Sequence, residues 1–169
     1  DRYCLDFLSL FSVGEGLLVG SSADAMFLVH SETVPSTFVP TRPFRVNAGS
    51  PHAYVMMADG NTRYMAELTA GDELLAVDQE GNGRSVVLGR LKIEQRPMLK
   101  IVGKKHTKTH QNANTCHVFM QQAETVRLIT GDSTAVSVTA LEKGQPVLGW
   151  EGHAARHVGR PVKGGVEER

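Results

Sequence analysis

The sequence predicts a mainly β fold, a small barrel or sandwich whose strands are joined by irregular loops. Short apolar runs of strand length recur along the chain, and glycine, asparagine and aspartate separate them. Stripes of apolar residues at helical spacing are few. A chain of 169 residues suits one domain or two small ones and can bury a core without a disulfide or a metal.

The predicted strands follow one another at short intervals and form hairpins. Residues 16–20 and 26–30 flank a Ser-Ser-Ala-Asp turn, and residues 53–57 and 63–65 flank an Asp-Gly-Asn turn. Between these hairpins, residues 33–43 carry three prolines and are predicted to form an irregular loop. Further strands are predicted at residues 73–77, 85–91, 98–102, 118–121, 126–130 and 135–138.

A weak internal repeat suggests how the chain is organised. Leu68–Leu75 is similar to Leu141–Leu148, with a glycine at the same place in each copy. Each glycine is expected to make a turn of positive φ before an apolar strand, although two ordinary turns could also look alike by chance. We expect three parts: a hairpin and loop unit (1–57), a barrel-like unit with the repeat (58–150) and a charged tail (151–169).

Composition narrows the partners and the compartment. Lys plus Arg and Asp plus Glu number 18 each, so no global basic field predicts nucleic-acid binding. No apolar run approaches the roughly 20 residues of a membrane span, and no signal peptide is visible. Cys4 and Cys116 lie far apart, which favours reduced thiols and a cytoplasmic protein. The chain starts at Asp1 without a methionine, which we interpret as a cut inside a longer chain.

The segment that ends the first hairpin could bind a metal or transfer a proton. His30 and Glu32 would point the same way on a strand, since alternate residues share a face. An imidazole beside a carboxylate can hold a divalent metal or share a proton. A solvated strand end is the alternative.

The loop around Gly49 could bind a substrate. If extended, Arg45 and Asn47 share one face, and His52 and Tyr54 share another. Polar groups on a loop braced by prolines suit a ligand that bears carboxylate or phosphate. A loop whose polar groups only bond one another explains the pattern equally well.

Two later segments could also contribute to chemistry. Arg90, Lys92 and Glu94 alternate with apolar residues, so their face either meets solvent or lines a pocket where Lys92 could condense with a ketone. Glu124 is equally ambiguous. Residues 104–117 contain three histidines and a cysteine but no zinc-site spacing, which favours a polar loop whose lysines could attract an anion.

Nine short segments, in order along the chain, are similar to one enzyme family. They are Asp1–Cys4, Gly14–Gly16, Phe27–Thr33, Thr41–Gly49, His52–Tyr54, Glu67–Asp72, Gly89–Pro97, Gln122–Thr125 and Ala155–His157. Together they resemble archaeal-type 3-dehydroquinate synthase II. The resemblance implies the C-terminal portion of a larger α/β plus β enzyme, with residues 1–57 at the end of its catalytic region.

Two reactions occur in the family that the chain resembles. The archaeal enzymes deaminate an amino-dideoxy-heptulosonate oxidatively with NAD and close the ring to 3-dehydroquinate. A sister branch forms 3-amino-4-hydroxybenzoate and uses a divalent metal, typically manganese. Gln122 and the His-rich loop 104–117 depart from the archaeal pattern. We therefore expect 3-amino-4-hydroxybenzoate synthesis, with 3-dehydroquinate synthesis as the alternative and a non-catalytic β-barrel assembly module as a third hypothesis.

The predicted roles and partners follow from this interpretation. We expect catalysis by Lys92, Glu124 and Tyr54, and substrate binding by Arg45, Asn47 and Arg90. A manganese or magnesium ion would be held by His30, Glu32, His52 and Glu15. NAD would be needed in the alternative reaction. The expected partners are an amino-sugar acid and the N-terminal region of the same enzyme, and the sequence leaves homo-oligomerisation open.

Overall fold

The prediction of a mainly β fold is confirmed. The computed structural model describes residues 1–37, 39–106 and 115–152, and the backbone of 156–157 and 160–161. Apart from one short 3-10 helix, Met65–Glu67, the regular elements of this described part are strands. Among the described residues, no helix is long and apolar enough to span a membrane.

Fifteen strands are formed by the described residues. In chain order they are β1 (Arg2–Phe7), β2 (Glu15–Ser22), β3 (Ala25–His30), β4 (Arg45–Gly49), β5 (Tyr54–Met56), β6 (Thr62–Tyr64), β7 (Glu73–Asp78), β8 (Gly83–Glu94), β9 (Met98–Lys104), β10 (Thr115–Gln121), β11 (Arg127–Ile129), β12 (Ala135–Ser137), β13 (Gly149–Glu151), β14 (Arg156–His157) and β15 (Arg160–Pro161). Each strand predicted from the apolar runs is present, whereas β1, β4, β13, β14 and β15 were not predicted.

One large sheet holds most of the described strands. Its main path runs β12-β11-β3-β2-β7-β8-β1-β4, and β5, β6 and β13 attach beside it. The β9–β10 and β14–β15 hairpins form two smaller sheets. Strands β7 and β8 pair with β2 and β1, so the predicted units 1–57 and 58–150 share one sheet and one core.

Strand alternation places the main core on one face of the sheet and polar side chains on the other. Leu5 of β1 and Val46 of β4 are fully buried and directly opposite each other in the sheet. They join the main core with Leu17, Leu74 and Leu128. Because successive side chains point to opposite faces, the residues that alternate with Leu5 and Val46 on β1 and β4 point to the other face of the sheet.

Residues 53–78 and 126–151 have the same backbone hydrogen-bonding pattern. Met65 and Val138 donate to the carbonyls of Ala53 and Val126, and the isolated bridge Met57–Leu74 has its counterpart in Thr130–Val147. Gly71 and Gly144 adopt φ of 99° and 91°, where a side chain would be strained. The similar segments Leu68–Leu75 and Leu141–Leu148 are therefore equivalent parts of a longer structural duplication.

The two copies lie on opposite sides of the β2–β3 hairpin. β5 and β7 pair with β2, while their counterparts β11 and β13 pair with β3. Leu18 and Leu28 face each other at the middle of the hairpin. An approximate two-fold axis between these two leucines therefore relates the copies, and the hairpin is the element on which both depend.

Candidate functional site

The face of β8, β1 and β4 that points away from the main core carries a group of charged and polar side chains. Register places Lys92, Cys4 and Asn47 in one row across these strands, and Arg90, Asp6 and Arg45 in the next. A third row holds Glu94 and Arg2. We call these eight residues the polar face. It contains four residues that the sequence predicted for substrate or catalysis: Arg45, Asn47, Arg90 and Lys92.

Asp6 lies at the centre of the polar face and holds two guanidinium groups. Arg45 donates to both carboxylate oxygens, with Nε–Oδ1 and Nη2–Oδ2 distances of 2.6 and 2.9 Å. Arg90 donates to Oδ2 from Nε at 2.9 Å and from Nη2 at 2.5 Å. Burial alone would raise the pKa of Asp6, but these hydrogen bonds outweigh it and lower that pKa below its ordinary value.

Arg2 and Cys4 form the buried part of the face beside Asp6. The Arg2 guanidinium donates to the Cys4 sulfur and to the carboxylate of Glu94, which also pairs with Lys92 at 3.0 Å. Burial raises the pKa of the Cys4 thiol, although Arg2 and Arg45 partly oppose this. The thiol is therefore protonated at neutral pH and is a poor nucleophile.

The loop after β3 adds a further carboxyl group at the edge of the polar face. Glu32 is buried, pairs with Arg42 at 3.3 Å and donates its backbone N–H to the carbonyl of Arg45. Burial raises the pKa of Glu32, and the hydrogen bond from Arg42 opposes the rise only in part. A carboxyl of this kind holds a proton more readily than an exposed one.

The face and its edge are positively charged. Three carboxylates, on Asp6, Glu32 and Glu94, are paired with cations; the six cations of the region are Arg2, Arg42, Arg45, Arg90, Lys92 and Arg96. The side chains of Arg90 and Lys92 are 64% and 49% exposed, so they form an accessible rim. Such a surface favours a small anion, above all a carboxylate.

Two polar atoms of the face have no hydrogen-bond partner. Among the described residues, three buried side-chain atoms lack one: Arg2 Nε, Asn47 Oδ1 and Thr62 Oγ1. Each such atom costs about 1–3 kcal/mol, so a cluster of them calls for an explanation. Asn47 donates from Nδ2 to Oε1 of Gln121 at 2.7 Å, which links the polar face to β10.

The predicted metal ligands are already engaged by other groups. His30 accepts the Gly14 N–H at Nε2 (2.9 Å), and its Nδ1 lies 2.6 Å from the carbonyl oxygen of Ser31. Burial lowers the pKa of His30, so the ring is neutral and both nitrogens are used. Glu15 binds Arg84 through both oxygens, at 2.5 and 2.9 Å. His30 therefore has no free ring nitrogen, and Glu15 is already paired with a cation.

His52 lies with a different group of side chains. Its ring nitrogens are 3.2 Å from the hydroxyls of Ser21 and Ser50, and its ring packs edge-on to Phe119. His117 packs on the same phenyl ring, a neighbour that the sequence did not suggest. No three His, Cys, Asp or Glu side chains among the described residues are placed to hold a metal. The predicted ligand set therefore does not fit a manganese or magnesium ion.

The other two predicted catalytic residues lie on elements outside the polar face. Tyr54 belongs to β5, which pairs with β2 and β6, and its hydroxyl is 2.8 Å from that of Tyr64. Glu124 follows β10 and lies 3.8 Å from Arg127. The structure thus brings together the four residues on β4 and β8, but not Tyr54 or Glu124 with them.

Three residues of the face, on β1, were missed from the sequence. Arg2, Cys4 and Asp6 alternate with Tyr3, Leu5 and Phe7, a period of two that indicates a strand with one polar face. The signal was present in the sequence, but only the pairing of β1 with β4 and β8 shows which distant residues it meets.

The described residues offer no conventional site for NAD. Dinucleotide pyrophosphates commonly bind at the N-terminus of an α-helix that follows a strand. The described part of the chain contains no α-helix. These residues therefore do not offer a pyrophosphate site of that kind.

The chain is similar to known proteins over its whole length. Residues 1–169 match the family described as the 3-dehydroquinate synthase II C-terminal domain. The chain is 44% identical to the 3-dehydroquinate synthase of Methanosphaera stadtmanae, 46% to the 3-dehydroquinate synthase homolog of Persephonella marina and 43% to the 3-dehydroquinate synthase of Methanocaldococcus jannaschii. Each match covers 100% of the chain and 45%, 49% and 45% of the respective relative. The chain thus spans about half the length of these relatives, and no solved structure matches it.

Proposed function

The chain belongs to the 3-dehydroquinate synthase II family, and we propose that it is part of an enzyme that converts an amino-sugar acid into 3-dehydroquinate. The names of the relatives support this product over the 3-amino-4-hydroxybenzoate expected from the sequence. The observation that carries the proposal is the positively charged polar face on β1, β4 and β8. A sugar acid brings the carboxylate that such a face would bind.

The face suits ring closure as well as binding. When an enolate carbon attacks a carbonyl within the same molecule, one C–C bond forms and negative charge moves to the carbonyl oxygen. Arg90 and Lys92 at the accessible rim can stabilise that charge, and a fixed array of cations does so without reorganising. Solvent at the exposed rim supplies the proton that neutralises the oxygen.

Lys92 acts as an ammonium ion in this proposal, not as the Schiff-base nucleophile considered from the sequence. Its amino group lies 3.0 Å from the Glu94 carboxylate, with which it forms an ion pair. Lysines that condense with ketones are often desolvated in apolar pockets, whereas the Lys92 side chain is 49% exposed.

A product assay tests the proposed function. The full-length protein is incubated with the amino-dideoxy-heptulosonate, with and without NAD and with and without manganese, and the products are separated chromatographically. NAD-dependent 3-dehydroquinate is the expected result. Manganese-dependent 3-amino-4-hydroxybenzoate, or no cyclised product under any of the four conditions, would overturn the proposal.

Variants of Lys92 separate the two roles of that residue. We expect Lys92→Met to lower kcat/KM by about 10- to 100-fold, because one charge beside the developing oxyanion is removed. Lys92→Arg keeps the charge but cannot form a Schiff base, and kcat/KM should stay within about fivefold of the wild type. Complete inactivation of both variants would instead favour covalent catalysis by Lys92.

A further inference from the structure

The polar face contains both an unused hydrogen-bond donor and an unused acceptor, and both are buried. The donor is Nε of Arg2 and the acceptor is Oδ1 of Asn47. Asn47 is only 3% exposed and Arg2 only 5%. Buried polar groups are almost always paired, so two unpaired atoms on neighbouring rows of one face are an unusual combination.

The surrounding contacts show which of the two atoms is a donor and which is an acceptor. Asn47 uses its Nδ2 group to bond Gln121, which leaves the side-chain oxygen as the acceptor. The Arg2 guanidinium is held by Cys4 and Glu94 through its two terminal nitrogens, which leaves Nε as the donor. Cys4 lies between the two, directly opposite Asn47 in the sheet.

The face itself does not supply the missing partners. Asp6, Glu32 and Glu94, the carboxylates of the region, are engaged by cations, and none reaches Arg2 Nε. The neighbouring donors are directed to those carboxylates, and none reaches Asn47 Oδ1. A ligand that satisfies both atoms must present an acceptor to Arg2 and a donor to Asn47 within the width of one strand pair.

We propose that Arg2 and Asn47 form a subsite for a small carboxylic acid that carries an amino or hydroxyl group next to its carboxylate. The carboxylate accepts from Arg2, and the adjacent ammonium or hydroxyl donates to Asn47 Oδ1. This subsite rests on the proposed function and deepens it, because it states which end of the amino-sugar acid lies at β1 and β4. Gln121 is a positioning residue, since it acts through the Asn47 amide.

The test compares two buried, unpaired polar groups in the full-length protein. Asn47→Leu removes the acceptor of the subsite, and Thr62→Val removes the unpaired hydroxyl of β6 as a matched control. Calorimetry measures binding of the amino-dideoxy-heptulosonate and of an analogue with hydrogen in place of the amino group. Asn47→Leu should weaken binding of the amino compound by about 10- to 100-fold. The analogue should bind this variant and the wild type within about twofold of each other.

Further outcomes decide the matter. Thr62→Val should leave the affinities for the amino compound and for the analogue unchanged. Asn47→Asp keeps a side-chain oxygen at this position, so it should bind the amino compound more tightly than Asn47→Leu does. Equal losses for the amino compound and the analogue, or no loss for either, would overturn the subsite. Failure of the proposed function would be seen separately, as absence of 3-dehydroquinate from the wild-type protein.

Discussion

Asp6→Asn is expected to lower the free energy of unfolding by about 3–5 kcal/mol, because it leaves the buried Arg45 guanidinium without its anion. Arg45 and Arg90 both depend on the Asp6 carboxylate. An amide can accept a hydrogen bond from one of them, but it carries no charge and would direct its own N–H₂ group at a cation. Equilibrium unfolding in urea measures the loss.

The effect of Asp6→Asn should depend on pH. The folded-state pKa of Asp6 is lowered, so its contribution is fully present above the unfolded value of about 3.9 and is lost as pH falls through the folded value. The difference in unfolding free energy between wild type and variant should therefore be constant from pH 5 to 7 and should shrink below about pH 4.

A matched carboxylate on the surface provides the control. Glu80 lies in the exposed turn between β7 and β8, and Glu80→Gln should change the unfolding free energy by less than about 0.5 kcal/mol. If Asp6→Asn were equally mild, or if its effect did not vary with pH, the ion cluster would not stabilise the polar face as argued.

The sequence predicted strands better than it predicted contacts between strands. Strands such as β7 and β8 were predicted because apolar alternation and a glycine-containing turn are local signals. Arg45, Asn47, Arg90 and Lys92 were selected because polar residues alternated with apolar ones. Which strands lie side by side depends on long-range pairing, and so the contribution of β1 was missed.

The placement of His30 and Glu32 shows a second limit of local reasoning. His30 and Glu32 are two residues apart and would share a face if the strand continued through both. Strand β3 ends at His30, however. Beyond it, Glu32 pairs with Arg42 and donates its backbone N–H to the carbonyl of Arg45. Spacing along the chain could not show that Gly14 donates to the histidine ring.

The duplication was visible in sequence only where backbone geometry restricts the residue type. Gly71 and Gly144 share a positive φ, and that requirement kept the two turns alike. Side chains on the paired strands can differ between the copies because each has its own neighbours. Val77 and Trp150, for example, occupy equivalent positions, but Val77 pairs with Gly16 of β2 and Trp150 with Met26 of β3. Matching hydrogen bonds therefore show a longer repeat than matching residues do.

Gly16→Ala should be among the most damaging single substitutions in the chain, because it adds a methyl group inside the hairpin that both copies share. Gly16 lies between β3 and β7, paired with His30 and Val77. A Cβ at this position would lie 2.0 Å from the carbonyl oxygen of Val29 and 2.7 Å from its carbonyl carbon. Those atoms belong to the backbone and cannot rotate away.

We expect Gly16→Ala to lower the unfolding free energy by about 3 kcal/mol or more, since overpacking against backbone forces a strand to move. Gly83→Ala is the matched control on β8: its Cβ would meet Cδ1 of Leu75 at 2.9 Å, the end of a side chain that can change rotamer. That variant should lose less than about 1 kcal/mol.

A displaced β2 would also disturb the edge of the polar face, because the carbonyl of Glu15 accepts a hydrogen bond from Ser31, the residue before Glu32. Substrate binding by any folded Gly16→Ala protein should therefore fall, whereas Gly83→Ala should bind normally. Equal stability of the two variants would contradict the view that the β2–β3 hairpin holds the two copies and the site together.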